Sequence, residues 1–265
     1  MPRYSRLTTL LILAAAVGII VTWTVFTPPG ITGKADAIGY AICHRITVRS
    51  FIAGDYQLPL CARCTGIYLG AMTAFGVFIA SGRYRAGYLP HWKVALGLAG
   101  FVGLLGIDGL NSYSNLLGFE GLYVTQNWMR VVTGVFCGLT LGNLVFPIFN
   151  QSVWEDGGMR TAPIHNLKEL AGLALIGALM VALVLVQRPT LLLILGMISA
   201  AGVLMVLTMI MTVGFVTVTG RFRAYNTWKD LALPLTAGLT LAIIMIGGID
   251  FLRYQFTGTW EGFLF

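Results

Sequence analysis

Seven long apolar segments dominate this sequence and limit what it can fold into. They cover residues 7–27, 64–82, 92–111, 129–149, 169–187, 190–215 and 231–251. A helix needs about 20 apolar residues to cross the hydrocarbon core of a bilayer. The chain is 57% hydrophobic and only 10% charged, whereas a soluble chain carries about 25% charged residues. The sequence therefore predicts an all-α, polytopic transmembrane helical bundle of about seven spans in the cell membrane of a bacterium or archaeon.

The distribution of Lys and Arg among the connecting loops predicts the orientation, because cytoplasmic loops carry an excess of these residues. With the N-terminus in the cytoplasm, ten of the 17 Lys and Arg residues fall on the inner side. Four of the other seven are set aside because they lie beside unusual polar motifs: Arg45, Arg49, Arg63 and Arg130. The bias predicts a cytoplasmic N-terminus. The basic residues are dispersed among apolar spans, which argues against a nucleic-acid partner.

Three regions are expected along the chain. Residues 1–36 form the first transmembrane helix and an outer loop, and this apolar run of about 20 residues is too long for a cleaved signal peptide. Residues 37–145 form a core with spans two to four, and residues 146–265 form spans five to seven. A three-residue connection, Gln187-Arg188-Pro189, separates spans five and six, which predicts a tight hairpin. A single broken re-entrant element is the alternative.

Three of the four cysteines lie close together in the outer loop and at the start of span two, in AICHRI (41–46) and LPLCARC (58–64). Thiolate and imidazole are the ligands of structural zinc sites, and C-x-x-C is the usual half-site spacing. The sequence therefore predicts a site for a metal, with zinc as the ion, at the extracytoplasmic face. Its predicted ligands are Cys43, His44, Cys61 and Cys64.

The adjacency of Cys43 and His44 complicates this ligand set, because neighbouring side chains normally point in different directions. An irregular backbone would let both reach one ion. Otherwise the imidazole contacts a ligand without binding the ion itself, and water, Asp55 or Asp108 takes the fourth coordination position.

Two other interpretations of the cysteines remain open. A helix N-terminus and the neighbouring Arg63 lower the pKa of a thiol, so the C-x-x-C could exchange electrons between protein thiols and a membrane quinone. Such oxidoreductases usually carry a second cysteine pair, whereas the remaining Cys137 lies inside span four, where it is expected to be a small packed residue. A disulfide that joins the outer loop to span two is the third interpretation.

Polar residues at the outer ends of spans three and four extend the predicted site. Asp108, Asn127 and Arg130 are the candidate catalytic residues, and we expect Asp108 to pair with Arg130, since ionisable residues within spans usually face a partner. The nearby arginines would suit an anionic lipid or a carboxylate ligand. An enzyme, an ion-binding protein and a non-catalytic subunit of a larger membrane complex all remain compatible with this pattern.

Two further patterns predict local packing. Gly66 and Gly70 in span two, and Gly134, Gly138 and Gly142 in span four, repeat the Gly-x-x-x-Gly spacing that lets membrane helices approach closely. In the outer loop the apolar residues Ile38, Ala41, Ile42 and Ile46 have helical spacing, which predicts a short helix at the membrane interface.

The order of these motifs resembles that of a known family. The motifs are Cys43-His44, Arg49-Ser50-Phe51, Leu58-Pro59-Leu60-Cys61-Ala62-Arg63-Cys64-Thr65-Gly66-Ile67-Tyr68-Leu69-Gly70, Asp108-Gly109, Asn127, Arg130 and Thr133-Gly134. They resemble the predicted membrane proteins of bacteria and archaea grouped as domain of unknown function 2085. The resemblance covers about residues 37–145. It implies that these polar positions belong together, and it implies no particular activity.

Overall fold

The computed structural model describes residues 4–261. These residues form the helices α1 (Arg6–Phe26), α2 (Gly30–Ile42), α3 (Ala62–Ala80), α4 (Trp92–Leu116), α5 (Asn127–Val153), α6 (Leu167–Leu185), α7 (Pro189–Val218) and α8 (Trp228–Thr257). A 3-10 turn (Thr47–Arg49) and an antiparallel hairpin of β1 (Ile52–Ala53) and β2 (Tyr56–Gln57) lie between α2 and α3. Residues 1–3 and 262–265, which belong to the first and last predicted regions, lie outside the described residues.

The prediction of an all-α bundle with seven spans is confirmed. Among the described residues, seven helices are long and apolar enough to cross a membrane, and α2 with 13 residues is the helix that is not. The helices α6 and α7 are separate and are joined by residues 186–188, as the hairpin prediction requires.

The end of α4 differs most instructively from its predicted boundary. The apolar pattern stops at residue 111, but the helix continues to Leu116. The Asn111 side chain explains the difference, because its Nδ2 donates to the carbonyl oxygen of Tyr123 at 2.8 Å and its Oδ1 accepts from the Leu122 N–H at 2.6 Å. A polar residue that has partners within the protein does not end a helix, although it ends a run of apolar letters.

The short helix of the outer loop is present, but its bounds and surroundings differ from the prediction. α2 begins after Pro29 and ends at Ile42, so Ile46 lies beyond it. The helix packs against α7 and α8, and Ala37 and Tyr40 are fully buried. α2 is therefore part of the bundle rather than a helix lying on its surface.

The closest helix pair in the bundle is α3 with α5, and the predicted glycines make this approach possible. A Cβ on Gly66 would lie 3.1 Å from the Cα atom of Gly134. A Cβ on Gly138 would collide with the carbonyl oxygen of Ile67. Two helix backbones meet here directly, as small residues allow in membrane proteins. The packing prediction for these glycines is confirmed.

The two ends of the bundle carry different connections. One end, called the thiol end below, holds residues 43–61 and the α4–α5 loop, where Asn127 Nδ2 donates to the carbonyl oxygen of Val48 at 3.2 Å. The other end holds the N-terminal residues and the α7–α8 loop, where the hydroxyl groups of Tyr4 and Tyr225 lie 2.6 Å apart. The beginning of α1 and the cysteines are therefore at opposite ends of the bundle.

Candidate functional site

Three cysteines converge at the thiol end. The sulfur atoms of Cys43, Cys61 and Cys64, called the thiol cluster below, all lie within 4.8 Å of one another. Cys43 and Cys61 are 4% and 3% exposed, and Cys64 is half-buried. All three are free thiols, as is Cys137, which is not part of the cluster. Among the described residues no other set of His, Cys, Asp or Glu side chains converges in this way.

The helix ends explain why these cysteines meet. Cys43 caps the C-terminus of α2, Cys61 caps the N-terminus of α3, and Cys64 follows in the first turn of α3. The two helix ends can approach because residue 39 is glycine: a Cβ there would collide with the carbonyl oxygen of Pro59. The prediction that Cys61 and Cys64 lie at the start of span two is thus matched by the geometry.

The backbone that follows Cys43 and His44 is irregular. Arg45 has a left-handed conformation with φ of 51°, which is uncommon for a residue other than glycine. Its N–H donates to the Cys43 sulfur at 3.5 Å, and the N–H of Cys61 donates to the same sulfur at 3.3 Å. His44 Nδ1 lies 3.6 Å from this sulfur, although the imidazole is not one of the three converging groups.

Hydrogen bonding makes the thiols of the cluster unequal. Hydrogen bonds from the Cys61 and Cys64 thiols, and weaker ones from His44 and the Arg45 N–H, hold the pKa of Cys43 well below its usual range despite its burial. The hydrogen bond that Cys61 makes to Cys43 is the largest cause that raises the pKa of Cys61, to about 12. A thiolate forms first on Cys43, because a sulfur that accepts several hydrogen bonds is stabilised as an anion.

The two carboxylates considered as a fourth ligand lie elsewhere. Asp55 is exposed in the turn between β1 and β2. Asp108 is 1% exposed and forms an ion pair with Arg63. His44 therefore remains the predicted ligand that lies in direct contact with a cluster sulfur.

The candidate residues Asp108, Asn127 and Arg130 all lie at the thiol end, but they are paired differently from the prediction. The expected ion pair between Asp108 and Arg130 is wrong. Asp108 binds Arg63 in the first turn of α3, and it also accepts a hydrogen bond from the Tyr123 hydroxyl at 3.4 Å. Arg130 instead donates to Asn127 Oδ1 at 2.8 Å.

Three guanidinium groups gather along one face of α4. Arg49 Nη2 donates to the carbonyl oxygen of Ser112 at 3.3 Å, and Arg130 Nη2 donates to the Ser112 hydroxyl at 3.3 Å. Arg63 reaches Asp108, which lies one helical turn earlier on α4. Arg49, Arg63 and Arg130 are called the arginine cluster below. Arg63 lies between Cys61 and Cys64 in the first turn of α3, so the two clusters are neighbours.

Two groups around the site were not predicted. Asp36 on α2 accepts hydrogen bonds from Arg45 at 2.9 Å and from the Tyr56 hydroxyl at 2.7 Å. Burial raises the pKa of Asp36, and Arg45 and Tyr56 counteract part of that effect. The second group is Arg253 at the end of α8, whose Nη1 donates to the carbonyl oxygen of Cys43 at 2.7 Å. A charged residue at the end of a span was the available signal for Arg253.

Comparison with known proteins identifies the part of the chain that carries the site. The family described as predicted membrane protein of domain of unknown function 2085 matches residues 43–144, which include both clusters. An uncharacterized protein of Methanocaldococcus jannaschii is 26% identical over 120 residues, which are 45% of this chain and 70% of the relative. An uncharacterized protein of Methanothermobacter thermautotrophicus is 36% identical over 104 residues, 39% of this chain and 83% of the relative.

No solved structure matches the chain significantly. The family match begins at Cys43 and ends within α5, so it leaves out Arg253 and the helices α6 to α8. The relatives are similar over most of their own length, which agrees with the extent of the resemblance in the sequence motifs. The chain belongs to the family of predicted membrane proteins of domain of unknown function 2085.

Proposed function

We propose that this multi-pass membrane protein binds one zinc ion in the thiol cluster, at the extracytoplasmic end of its bundle. The observation that carries the proposal is the convergence of three thiols, two of them buried, within 4.8 Å of one another. Thiolates are the soft ligands that zinc prefers, whereas calcium and magnesium require oxygen ligands. The proposed ion would be held by Cys43, Cys61, Cys64 and His44.

The separations between the donor atoms fit a tetrahedral zinc ion. Zn–S bonds of about 2.3 Å place two sulfur ligands about 3.8 Å apart, and a Zn–N bond of about 2.1 Å places nitrogen about 3.6 Å from sulfur. The sulfur atoms lie within 4.8 Å of one another, so binding requires a contraction of about 1 Å at most. His44 Nδ1 and Cys43 Sγ are already 3.6 Å apart.

The proposed zinc ion would join the end of α2 to the start of α3, next to a contact with α8. Cys43 belongs to the end of α2 and the other two thiols to the start of α3. Arg253 of α8 donates to the carbonyl oxygens of Cys43 and His44 at 2.7 and 3.3 Å. A structural zinc ion contributes directly to the free energy of folding. We therefore infer that zinc fixes the loop 43–60 onto the bundle.

Burial favours zinc over the thiol-exchange alternative. Exchange with a protein substrate needs an accessible thiolate, but Cys43, the most acidic thiol of the cluster, is 4% exposed. The fourth cysteine, Cys137, lies in α5 outside the cluster, so it does not supply a second pair beside the first.

The exposed apolar side chains of the spans would be covered by the acyl chains of membrane lipids.

The metal content of the purified chain tests this proposal. The protein is purified in detergent without chelators, and zinc is measured together with Mn, Fe, Co, Ni and Cu. We expect about one zinc ion per chain in the wild type and loss of the ion in Cys61→Ser. Cys137→Ser is the matched control, because it removes a thiol outside the cluster and leaves the zinc content unchanged.

A histidine variant then separates a closed site from an open one. Structural zinc sites have four protein ligands, whereas catalytic sites keep one position for water. His44→Ala lowers the affinity for zinc strongly if the imidazole is a ligand. An unchanged affinity would mean that water holds the fourth position, and the site would then have the coordination expected of an enzyme.

The extracytoplasmic position is supported by the loop charges. The seven candidate spans and the excess of Lys and Arg on the side of the N-terminus favour a thiol end outside the cytoplasm. Labelling of introduced cysteines in intact cells tests this orientation separately from the metal.

A further inference from the structure

We propose that the arginine cluster binds a dianionic phosphate group, supplied either by the headgroup of a phosphomonoester lipid or by inorganic phosphate. This inference goes beyond the zinc site, because it concerns different side chains and does not require the metal. It begins from the meeting of Arg49 and Arg130 at one residue of α4, Ser112, with 3.3 Å between each guanidinium nitrogen and its acceptor.

The arginine cluster has more positive charge than its surroundings neutralise. Within residues 4–261, Asp108 is the one carboxylate in an ion pair with any member of the cluster, and its partner is Arg63. Arg49 and Arg130 donate to the same residue, Ser112, so their two positive charges lie close together and repel each other. Buried charges without a counterion are costly, so three guanidinium groups beside one carboxylate favour the binding of a further anion.

Hydrogen-bond donors of the cluster are also left without acceptors. Arg130 is 8% exposed, and its Nε is buried with no hydrogen-bond partner. The Nε of Arg63 is buried without a partner as well. A buried donor without an acceptor carries a desolvation penalty that a bound anion would remove. These two groups are the independent indication of a missing ligand.

The chemistry of the cluster favours a phosphate over other anions. The planar guanidinium fork matches two oxygen atoms of a phosphate or carboxylate. Three arginines with one paired aspartate leave an excess of two positive charges, which a phosphate dianion neutralises and a single carboxylate does not. Arg130 lies in the first turn of α5, where the helix dipole adds to the attraction for an anion.

The position of the cluster is compatible with both sources of phosphate. Arg63 lies in the first turn of the candidate span of α3 and Arg130 in the first turn of that of α5. The ends of spans lie near the headgroups of a bilayer. Arg49 comes from the loop between α2 and α3 and is partly exposed, so an anion could also enter from the aqueous side.

Binding of both probes to the full chain tests the proposal. In the first arm, equilibrium dialysis with radiolabelled inorganic phosphate is performed on the detergent-solubilised protein, with acetate as a competitor. In the second arm, the protein in nanodiscs of phosphatidylcholine receives phosphatidic acid or phosphatidylglycerol, and retained lipid is counted by native mass spectrometry. Saturable binding of phosphate or of phosphatidic acid, with little competition by acetate, is the expected result.

Arg49→Gln is the decisive variant. Among the described residues, the Arg49 side chain donates one hydrogen bond, and its acceptor is the backbone carbonyl oxygen of Ser112. We therefore expect the fold to tolerate the change. Loss of one charge-assisted contact weakens binding by about 10- to 100-fold, and Arg49→Lys, which keeps the charge without the fork, gives an intermediate affinity. Arg188→Gln is the control, because Arg188 is exposed in the α6–α7 connection and lies outside the cluster.

The outcomes separate this proposal from the zinc site. Weaker phosphate binding in Arg49→Gln, with unchanged metal content and an unaffected Arg188→Gln variant, supports it. Absence of saturable binding of either probe to the wild type overturns it, and so does an equal loss in both arginine variants. Binding that disappears on chelation but survives Arg49→Gln also overturns it, since the phosphate would then be a ligand of the metal.

Discussion

The contact between α3 and α5 allows a quantitative prediction for Gly66→Ala. A Cβ at this position would lie 2.7 Å from the carbonyl oxygen of Val131, 2.9 Å from the nitrogen of Val135 and 3.1 Å from the Cα of Gly134. All three are backbone atoms, so no side chain can rotate to relieve the contact. Because ordinary contacts begin at 3.4 Å, the helices would have to separate by about 0.7 Å.

The expected free-energy change combines two opposing contributions. Overpacking of a well-packed region costs about 1–3 kcal/mol, and three contacts with backbone favour the upper half of that range. Replacement of glycine by alanine within a helix contributes about 1 kcal/mol in the stabilising direction. We therefore expect Gly66→Ala to lower the free energy of unfolding by about 1–2 kcal/mol.

Gly76→Ala on the same helix is the matched control. Nothing lies within 4 Å of a Cβ at Gly76, so only the stabilising contribution of about 1 kcal/mol applies. Thermal unfolding of both variants in the same detergent, at one scan rate and followed by tryptophan fluorescence, measures the contrast. The Tm of Gly66→Ala should be several degrees below that of Gly76→Ala. A Gly66→Ala protein as stable as the control would refute the direct backbone contact.

Three further predictions concern the thiol end. Asp108→Asn lowers the free energy of unfolding by about 3–5 kcal/mol because it leaves Arg63 without its buried partner; a double variant that also carries Arg63→Gln recovers part of this loss in a double-mutant cycle of thermal unfolding. Removal of the metal with a chelator lowers the Tm and speeds maleimide modification of the thiol cluster; unchanged rates would indicate that no ion holds it. In intact cells, a membrane-impermeant maleimide labels Asp55→Cys but not Arg160→Cys, which is exposed at the opposite end; the reverse pattern would contradict the proposed orientation.

The sequence was sufficient for the helical bundle because hydrophobicity and length decide membrane spans almost alone. It was also sufficient for the α3–α5 contact, since Gly66 with Gly70 in one span and Gly134 with Gly138 in another repeat at a spacing with a clear physical meaning. The ends of the helices were harder to predict from the sequence. The extension of α4 beyond Asn111 depends on acceptors and donors in the following loop, and these are tertiary contacts that an apolar pattern does not contain.

The pairing of charges could not be predicted in the same way. Several arginines stood near Asp108 in the predicted topology, and depth in the membrane did not distinguish Arg63 from Arg130. The distinction lies in the hydrogen bonds of the folded chain, in which Arg130 donates to Asn127 and Ser112 while Arg63 pairs with Asp108. Likewise, the left-handed backbone at Arg45 carries no residue-type signal, because arginine is not typical of that conformation.

The thiol cluster itself was accessible through spacing and chemistry. The pair Cys61 and Cys64 has the separation of a zinc half-site, and the convergence of Cys43 with it agrees with that expectation. The contact of α8 with the site was not predictable, because the charge of Arg253 near the end of a span did not indicate that its partner would be the carbonyl oxygen of Cys43, 210 residues earlier.

Zinc-edge X-ray absorption of the wild-type protein, together with its metal content, tests the central proposal most directly. We predict about one zinc ion per chain, with three sulfur atoms at about 2.3 Å and one nitrogen atom at about 2.0–2.1 Å, and loss of this signal in Cys61→Ser but not in Cys137→Ser. Protein that is purified in the presence of excess zinc and still contains no stoichiometric metal would contradict the assignment of the thiol cluster as a zinc site. A bound ion whose ligands include no sulfur atom would contradict it as well.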